Sequence, residues 1–180
     1  STPVPQLIYL DNNATTQPRQ EVIEALAEAE ACCWANSASP HRLGQEAKSH
    51  LKRAKQSLAF HLGCRAGELV ITSGATEANN LALAGVFEAE KVRSRPRTKI
   101  LVSSIEHPSV LETAEALRAR GAVVDEIEVD ASGRLNLADF HSKLTQDTLL
   151  VSVMAANNEV GTLQPISHVA DACRQAGAYC

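Results

Sequence analysis

No stretch of this 180-residue sequence approaches the roughly 18 consecutive apolar residues that cross a bilayer. Ser1 to Gln6 also lacks the basic start and apolar run of a secretory leader. Membranes are thereby excluded as partners, and a cytoplasmic location is expected. No cluster of Lys and Arg is present either. With the basic residues scattered and a net charge of -4, the chain has no footprint for a phosphate backbone, which excludes nucleic acid. The five cysteines, Cys32, Cys33, Cys64, Cys173 and Cys180, form no C-x-x-C pair and have no histidine at zinc-finger spacing. Reduced, mostly buried thiols and no metal site are expected.

What is present is a core-forming composition, 44% hydrophobic, which excludes disorder. Short β-branched runs alternate with longer amphipathic segments. Leu7 to Leu10, Leu69 to Thr72, Lys99 to Ser103, Val123 to Val129 and Thr148 to Met154 read as strands. In Glu46 to Leu62, the residues Ala47, Leu51, Ala54, Leu58 and Leu62 recur at spacings of three and four, predicting a helix that Gly63 ends. Pro108 to Arg120, with Pro in the first turn and Gly121 after the last periodic residue, predicts another. The near-continuous apolar run Leu149 to Met154 implies burial on both faces, so the fold class is α/β, a mostly parallel sheet flanked by helices. Ala178-Tyr179-Cys180 follow the helical stretch Ile166 to Ala176 and Gly177, where a further strand is due. A fragment, or one chain of a split protein, is expected.

Ligands of open parallel sheets bind beyond the carboxyl ends of the strands, so the turns that leave the strands carry the functional expectation. Three are unusually polar: Ser73-Gly74-Ala75-Thr76-Glu77, Ser104-Ile105-Glu106-His107-Pro108 and Asn157-Asn158-Glu159-Val160-Gly161. The first opens a helix near Ala78, with Gly74 giving a tight turn. Free amides of Ala75 and Thr76, with the Thr76 hydroxyl, suit a phosphate monoester. A plain helix cap by Thr76 and Glu77 explains the same residues. His107 places a flat ring at the sheet edge, as a stacking platform or as a helix cap. The Asn157-Asn158 pair offers amides to a phenolic oxygen or a carboxylate, or forms an Asx turn.

Taken in order, these motifs resemble the cysteine desulfurases, fold-type I enzymes dependent on pyridoxal 5'-phosphate (PLP). The likeness extends to Tyr9-Leu10-Asp11-Asn12-Asn13-Ala14-Thr15-Thr16 and to Asn36-Ser37-Ala38-Ser39 with His41 and Gly44. The resemblance implies an incomplete large domain of that fold: residues 18–180 as its first part, and residues 1–17 as a segment that joins the small domain. It implies that Ala75 and Thr76 hold the cofactor phosphate, that His107 stacks on the pyridine ring and acts in catalysis, and that Asn158 bonds the phenolic oxygen. Asn13 and Asn158 then meet the substrate, although Asn12 and Asn13 can equally stabilise a turn.

The implied function is conversion of L-cysteine to alanine and a protein-bound persulfide for a sulfur-acceptor scaffold protein, as in iron-sulfur cluster assembly, by a homodimer. Lys48, Lys52, Lys55, Lys91, Lys99 and Lys143 all fall on amphipathic helices or at strand starts, and no cysteine matches the family's reactive thiol. A remaining C-terminal part is expected to supply the Schiff-base lysine and catalytic cysteine, and this chain alone is expected to be inactive. A selenocysteine lyase keeps the same early motifs, and a non-catalytic scaffold or partner subunit is the alternative outside catalysis.

Overall fold

The computed structural model describes residues 8–180. The chain divides between Ile71 and Thr72 into two units. The first carries α1 (Gln20–Cys32), α2 (Arg42–Leu62) and a 3-10 turn, Ala66–Glu68. α2 starts earlier than its apolar periodicity because the His41 side chain accepts the Gly44 amide at 3.3 Å and caps the helix. Gly44 is required by close approach: a Cβ there would overlap the Ser39 carbonyl and lie 2.8 Å from that of Asn36. Much of the Asn36-to-Gly44 motif is thus local packing. Gly63, left-handed at φ 67°, stops α2 as expected.

α1 buries no residue within the described structure. Cys32 is exposed and Cys33 half-buried, so the expectation of mostly buried thiols fails; all five are free, and only Cys173 is buried.

The second unit begins with α3 (Ala75–Glu90) and continues β1 (Lys99–Ser103), α4 (Pro108–Arg118), β2 (Val123–Ile127), α5 (Leu137–Lys143), β3 (Thr148–Ser152) and α6 (Ile166–Ala176). The strands are parallel in the order β2-β1-β3. Side chains alternate across a strand, so Ile100 and Val102 of β1 enter one core with Leu83, Phe87, Val110 and Leu117 from α3 and α4. Leu101 enters the other, with Phe140, Val169 and Cys173 from α5 and α6. Helices on both faces explain why β3 reads as a continuous apolar run.

Beyond β3 in the sheet, Tyr179 pairs in parallel with Leu150, with Tyr179 N–H to Leu149 O and Val151 N–H to Tyr179 O both at 2.9 Å. A further strand direction therefore begins after Gly177, as the pattern predicted. Glu90, only 4% exposed, anchors the opposite ends of these elements: it pairs with Arg97 at 3.2 Å and Arg93 at 3.0 Å. Arg97 also donates to the carbonyls of Gly177 at 2.6 Å and Thr148 at 3.3 Å.

Two predicted strands are absent. Leu7 lies outside the described residues, 8–10 carry no strand, and Leu69 to Thr72 has none either, leaving Val70 and Ile71 exposed. An apolar β-branched run becomes a strand only where a neighbour completes its ladder, and neither segment has one among the described residues. β2 ends at Ile127 because the chain turns at Asp130 and pairs Val129 with Leu135. β3 ends at Ser152 because the next amides leave the ladder, that of Met154 going to the Glu106 carboxylate.

Candidate functional site

Since β1 and β3 are parallel, the turns 104–107 and 153–161 leave the same edge of the sheet. α3 runs for 16 residues, about 24 Å, before the short link to the start of β1. Its N-terminus therefore returns to that carboxyl edge. The helix begins at Ala75, three residues before the predicted start, and the chain enters it through Gly74, extended at φ 171° and ψ 179°. This backbone does not itself demand glycine, contrary to the tight turn expected, and a Cβ there would meet open space.

The first turn of α3 is tied by Glu77, whose carboxylate accepts from Ser73 Oγ at 2.6 Å and from the Ser73 amide at 2.7 Å. Those two bonds hold its pKa below the usual carboxylate range. Thr76 takes no part in the cap. Among the described residues the amides of Ala75, Thr76 and Glu77 and the Thr76 hydroxyl have no partner, and Ala75 and Thr76 are exposed. Unpaired donors at the positive end of a long helix form an anion-binding arrangement.

His107 is exposed and caps α4: its Nδ1 accepts the Ser109 amide at 3.1 Å and lies 2.8 Å from Ser109 Oγ. That hydroxyl in turn accepts from Asn79 Nδ2 at 2.9 Å. Asn79 follows Thr76 by three residues on the same face of α3, so one chain of hydrogen bonds connects the anion-binding helix to the imidazole. The capping role expected of His107 is real, and among the described residues it leaves Nε2 without a hydrogen-bond partner and the exposed ring without an aromatic neighbour.

The third turn is organised by Asn157. Its Oδ1 accepts the amides of Glu159 at 2.9 Å and Val160 at 3.0 Å, and its Nδ2 donates to Ile105 O at 3.3 Å. The Asx turn therefore belongs to Asn157, whereas Asn158 is exposed with no side-chain partner among the described residues. Glu106, 8% exposed, binds the two turns together by accepting the Met154 amide. Burial pushes its pKa up, against the lowering effect of that amide.

Thus Ala75, Thr76, His107 and Asn158 belong to three turns joined by hydrogen bonds. Asn13 lies in the first unit, exposed in a turn in which Asp11 O accepts the amides of Ala14 at 3.2 Å and Thr15 at 3.4 Å. Sequence reasoning missed Asn79 and Ser109 as members of the site, and the structural weight of Glu106. The available signal was a polar Asn one turn after Thr76 and a Ser two residues after the capping His. The lysines of residues 72–180 are all engaged elsewhere: Lys91 with Glu88 at 2.9 Å, Lys99 with Asp125 at 3.1 Å and Lys143 with Asp139 at 2.7 Å. Cys173 is unsuited to nucleophilic work, because burial, assisted by the neighbouring Cys180 thiol, pushes its pKa up to about 12.

The sequence profile of the family described as aminotransferase class-V matches residues 8–180. A cysteine desulfurase of Frankia sp. is 40% identical over 182 residues, covering 97% of this chain and 43% of that protein. A solved structure of a NifS-like protein superposes with a TM-score of 0.85 at 38% identity, over 92% of this chain and 44% of its own. Another, SspA in complex with cysteine, gives a TM-score of 0.85 at 28% identity, over 93% of this chain and 48% of its own. The chain spans less than half the length of these relatives.

Proposed function

As this chain belongs to the class-V aminotransferase family, we propose that it forms the cofactor-facing N-terminal part of a PLP-dependent cysteine desulfurase. The observation that carries this reading is the hydrogen-bonded assembly of the α3 N-terminus, His107 and the Asn157-Asn158 turn. Its donor chemistry fits the cofactor. The free amides of Ala75 and Thr76 and the Thr76 hydroxyl are phosphate ligands in kind. The ring of His107, anchored through one nitrogen, offers a flat face to a pyridine. The uncommitted amide of Asn158 can donate to a phenolic oxygen. When bound, PLP supplies an electron sink for breaking bonds at the substrate's α and β carbons. The residues of this chain bind and orient it, and Asn158 contacts the substrate.

The substrate proposed for the whole protein is L-cysteine, with alanine and a protein-bound persulfide as products and a sulfur-acceptor scaffold protein as recipient, in a cytoplasmic homodimer. Names of relatives such as the Frankia cysteine desulfurase support this reading, as does the cysteine bound by SspA. No helix among the described residues is long and apolar enough to cross a membrane. The lysine that carries the cofactor and the reactive thiol come from further polypeptide, and this chain alone does not turn over.

The test is reconstitution. The chain mixed with PLP should bind it reversibly, without a borohydride-fixed adduct at a single lysine, and should form alanine from L-cysteine only when polypeptide homologous to the remaining length of the relatives is supplied. No PLP binding in either state would refute the cofactor assignment. A stoichiometric lysine adduct with turnover by the chain alone would refute the division of labour.

A further inference from the structure

We propose that Asn79 and Ser109 are positioning residues for His107: together they hold its imidazole in the Nε2–H tautomer, so that a molecule against the ring meets a hydrogen-bond donor at Nε2 rather than a base. The argument is a count of protons. A backbone amide can only donate, so the Ser109 N–H at 3.1 Å requires a lone pair on His107 Nδ1. The Ser109 hydroxyl lies 2.8 Å from the same nitrogen. It has one proton to give, and the Asn79 Nδ2 group, donating to it at 2.9 Å, occupies an acceptor site and leaves that proton directed at Nδ1. Two donors then converge on Nδ1, and the neutral ring carries its proton on Nε2.

The backbone supports the arrangement. Ser109 is 8% exposed, and its carbonyl accepts the buried Thr113 hydroxyl at 2.7 Å, which fixes the first turn of α4. The same α3 face thus presents Thr76 to an anion and, one turn later, sets the protonation pattern of the imidazole. In the proposed function, on which this inference rests for its ligand, the ring lies against PLP as an oriented platform with Nε2 as donor, and a proton acceptor for the reaction is some other group.

The experiment is long-range nitrogen–proton NMR of the His107 ring in the 180-residue chain, at a pH where the ring is neutral. The wild type should show one protonated nitrogen, Nε2. Asn79→Asp replaces a donor with a pure acceptor, so the Ser109 hydroxyl turns toward the carboxylate and withdraws its proton from Nδ1. Ser109→Ala removes the hydroxyl but keeps the amide. Each should lower the Nε2–H to Nδ1–H ratio about fivefold, the factor carried by one hydrogen bond of ordinary net strength, with the backbone spectrum otherwise unchanged. Asn79 is half-buried where Ser109 is buried, so Asn79→Asp is the milder change, and the unchanged backbone spectrum checks that the variant is folded.

An Nδ1–H or evenly mixed tautomer in the wild type would overturn the proposal. So would a ratio unmoved by Asn79→Asp in a folded chain. Adding PLP to the wild type separates the two readings: displaced His107 ring-proton resonances support the platform, whereas unmoved resonances with the expected tautomers refute the platform and leave the positioning role standing.

Discussion

Replacing Glu106 tests whether the site's two edge turns are joined by a buried acceptor or by a buried charge. The side chain is 8% exposed and its carboxylate accepts the amide of Met154. Glu106→Ala leaves that amide without an acceptor, a loss of about 1–3 kcal/mol. Glu106→Gln keeps an oxygen for the amide and removes the charge. Burial raises the folded-state pKa above the ordinary 4.5, so the folded chain binds the proton more tightly than the unfolded chain. Glu106 therefore stabilises fully below 4.5, and its contribution falls as pH rises through the raised value. Urea denaturation followed by circular dichroism from acid to neutral pH should show the Gln variant near wild type in acid and gaining on it toward neutrality. The Ala variant should be weakest relative to wild type in acid, where the protonated carboxyl no longer opposes burial. Equal destabilisation by Gln and Ala at neutral pH would show that the charge itself holds the turns, and a Gln gap that does not change with pH would refute the burial penalty on the carboxylate.

Thr76→Val should weaken PLP binding by about 1–3 kcal/mol, read as a shifted dissociation constant, with little effect on any chemical step, since the hydroxyl serves ground and transition states alike. His107→Ala should lower the denaturation midpoint by the equivalent of about 1 kcal/mol through the lost cap and also alter the absorbance of bound PLP; an unaltered spectrum makes it a cap alone. Arg97→Met should cost about 2–3 kcal/mol, because Glu90 at 4% exposure loses one of its two cationic partners and keeps Arg93 and the backbone amide of residue 97. Although burial pushes the Glu90 carboxyl up, the amide and side chain of Arg97 outweigh it and hold the pKa low, so the wild-type contribution is present above 4.5 and lost as pH falls through the lowered value. The Met variant should flatten that dependence. In thiol labelling of the native chain, Cys173 should react slowest of the five, and prompt labelling would contradict its burial.

Elements whose partners lie within residues 72–180 were readable from sequence because local pattern and tertiary environment agree. β1 and α6 match their predicted limits, and Gly177 closes α6 in the left-handed conformation. α5 escaped notice because seven residues make two turns, too short for periodicity to register, although Asn136 marks its start by accepting the amides of Ala138 and Asp139. Leu69 to Thr72 misled for the opposite reason. Its composition describes a strand, but composition specifies which face a strand would bury and not whether a ladder is there to receive it. The cysteines failed similarly: a thiol is buried by what packs on it, and no residue of α1, Cys32 included, is buried among the described residues.

Two of the candidate site's polar turns were legible together, since the parallel directions of β1 and β3 place the turns after them at one edge; the turn before α3 was expected to leave a strand and instead reaches that edge by the run of the helix. What holds them together was not legible. Asn79 and Ser109 are 30 residues apart, Glu106 and Met154 are 48, and Asn157 and Ile105 are 52. No local periodicity encodes contacts of that range. The pairs also resolve ambiguities that the sequence left open. Of two adjacent asparagines, Asn157 is consumed by the turn, and that consumption is what frees Asn158. Of the two roles open to His107, the cap uses Nδ1 and thereby fixes where the proton sits. The structural and functional readings of these residues are therefore not alternatives: the capping bond supplies the orientation that a ring against a ligand needs.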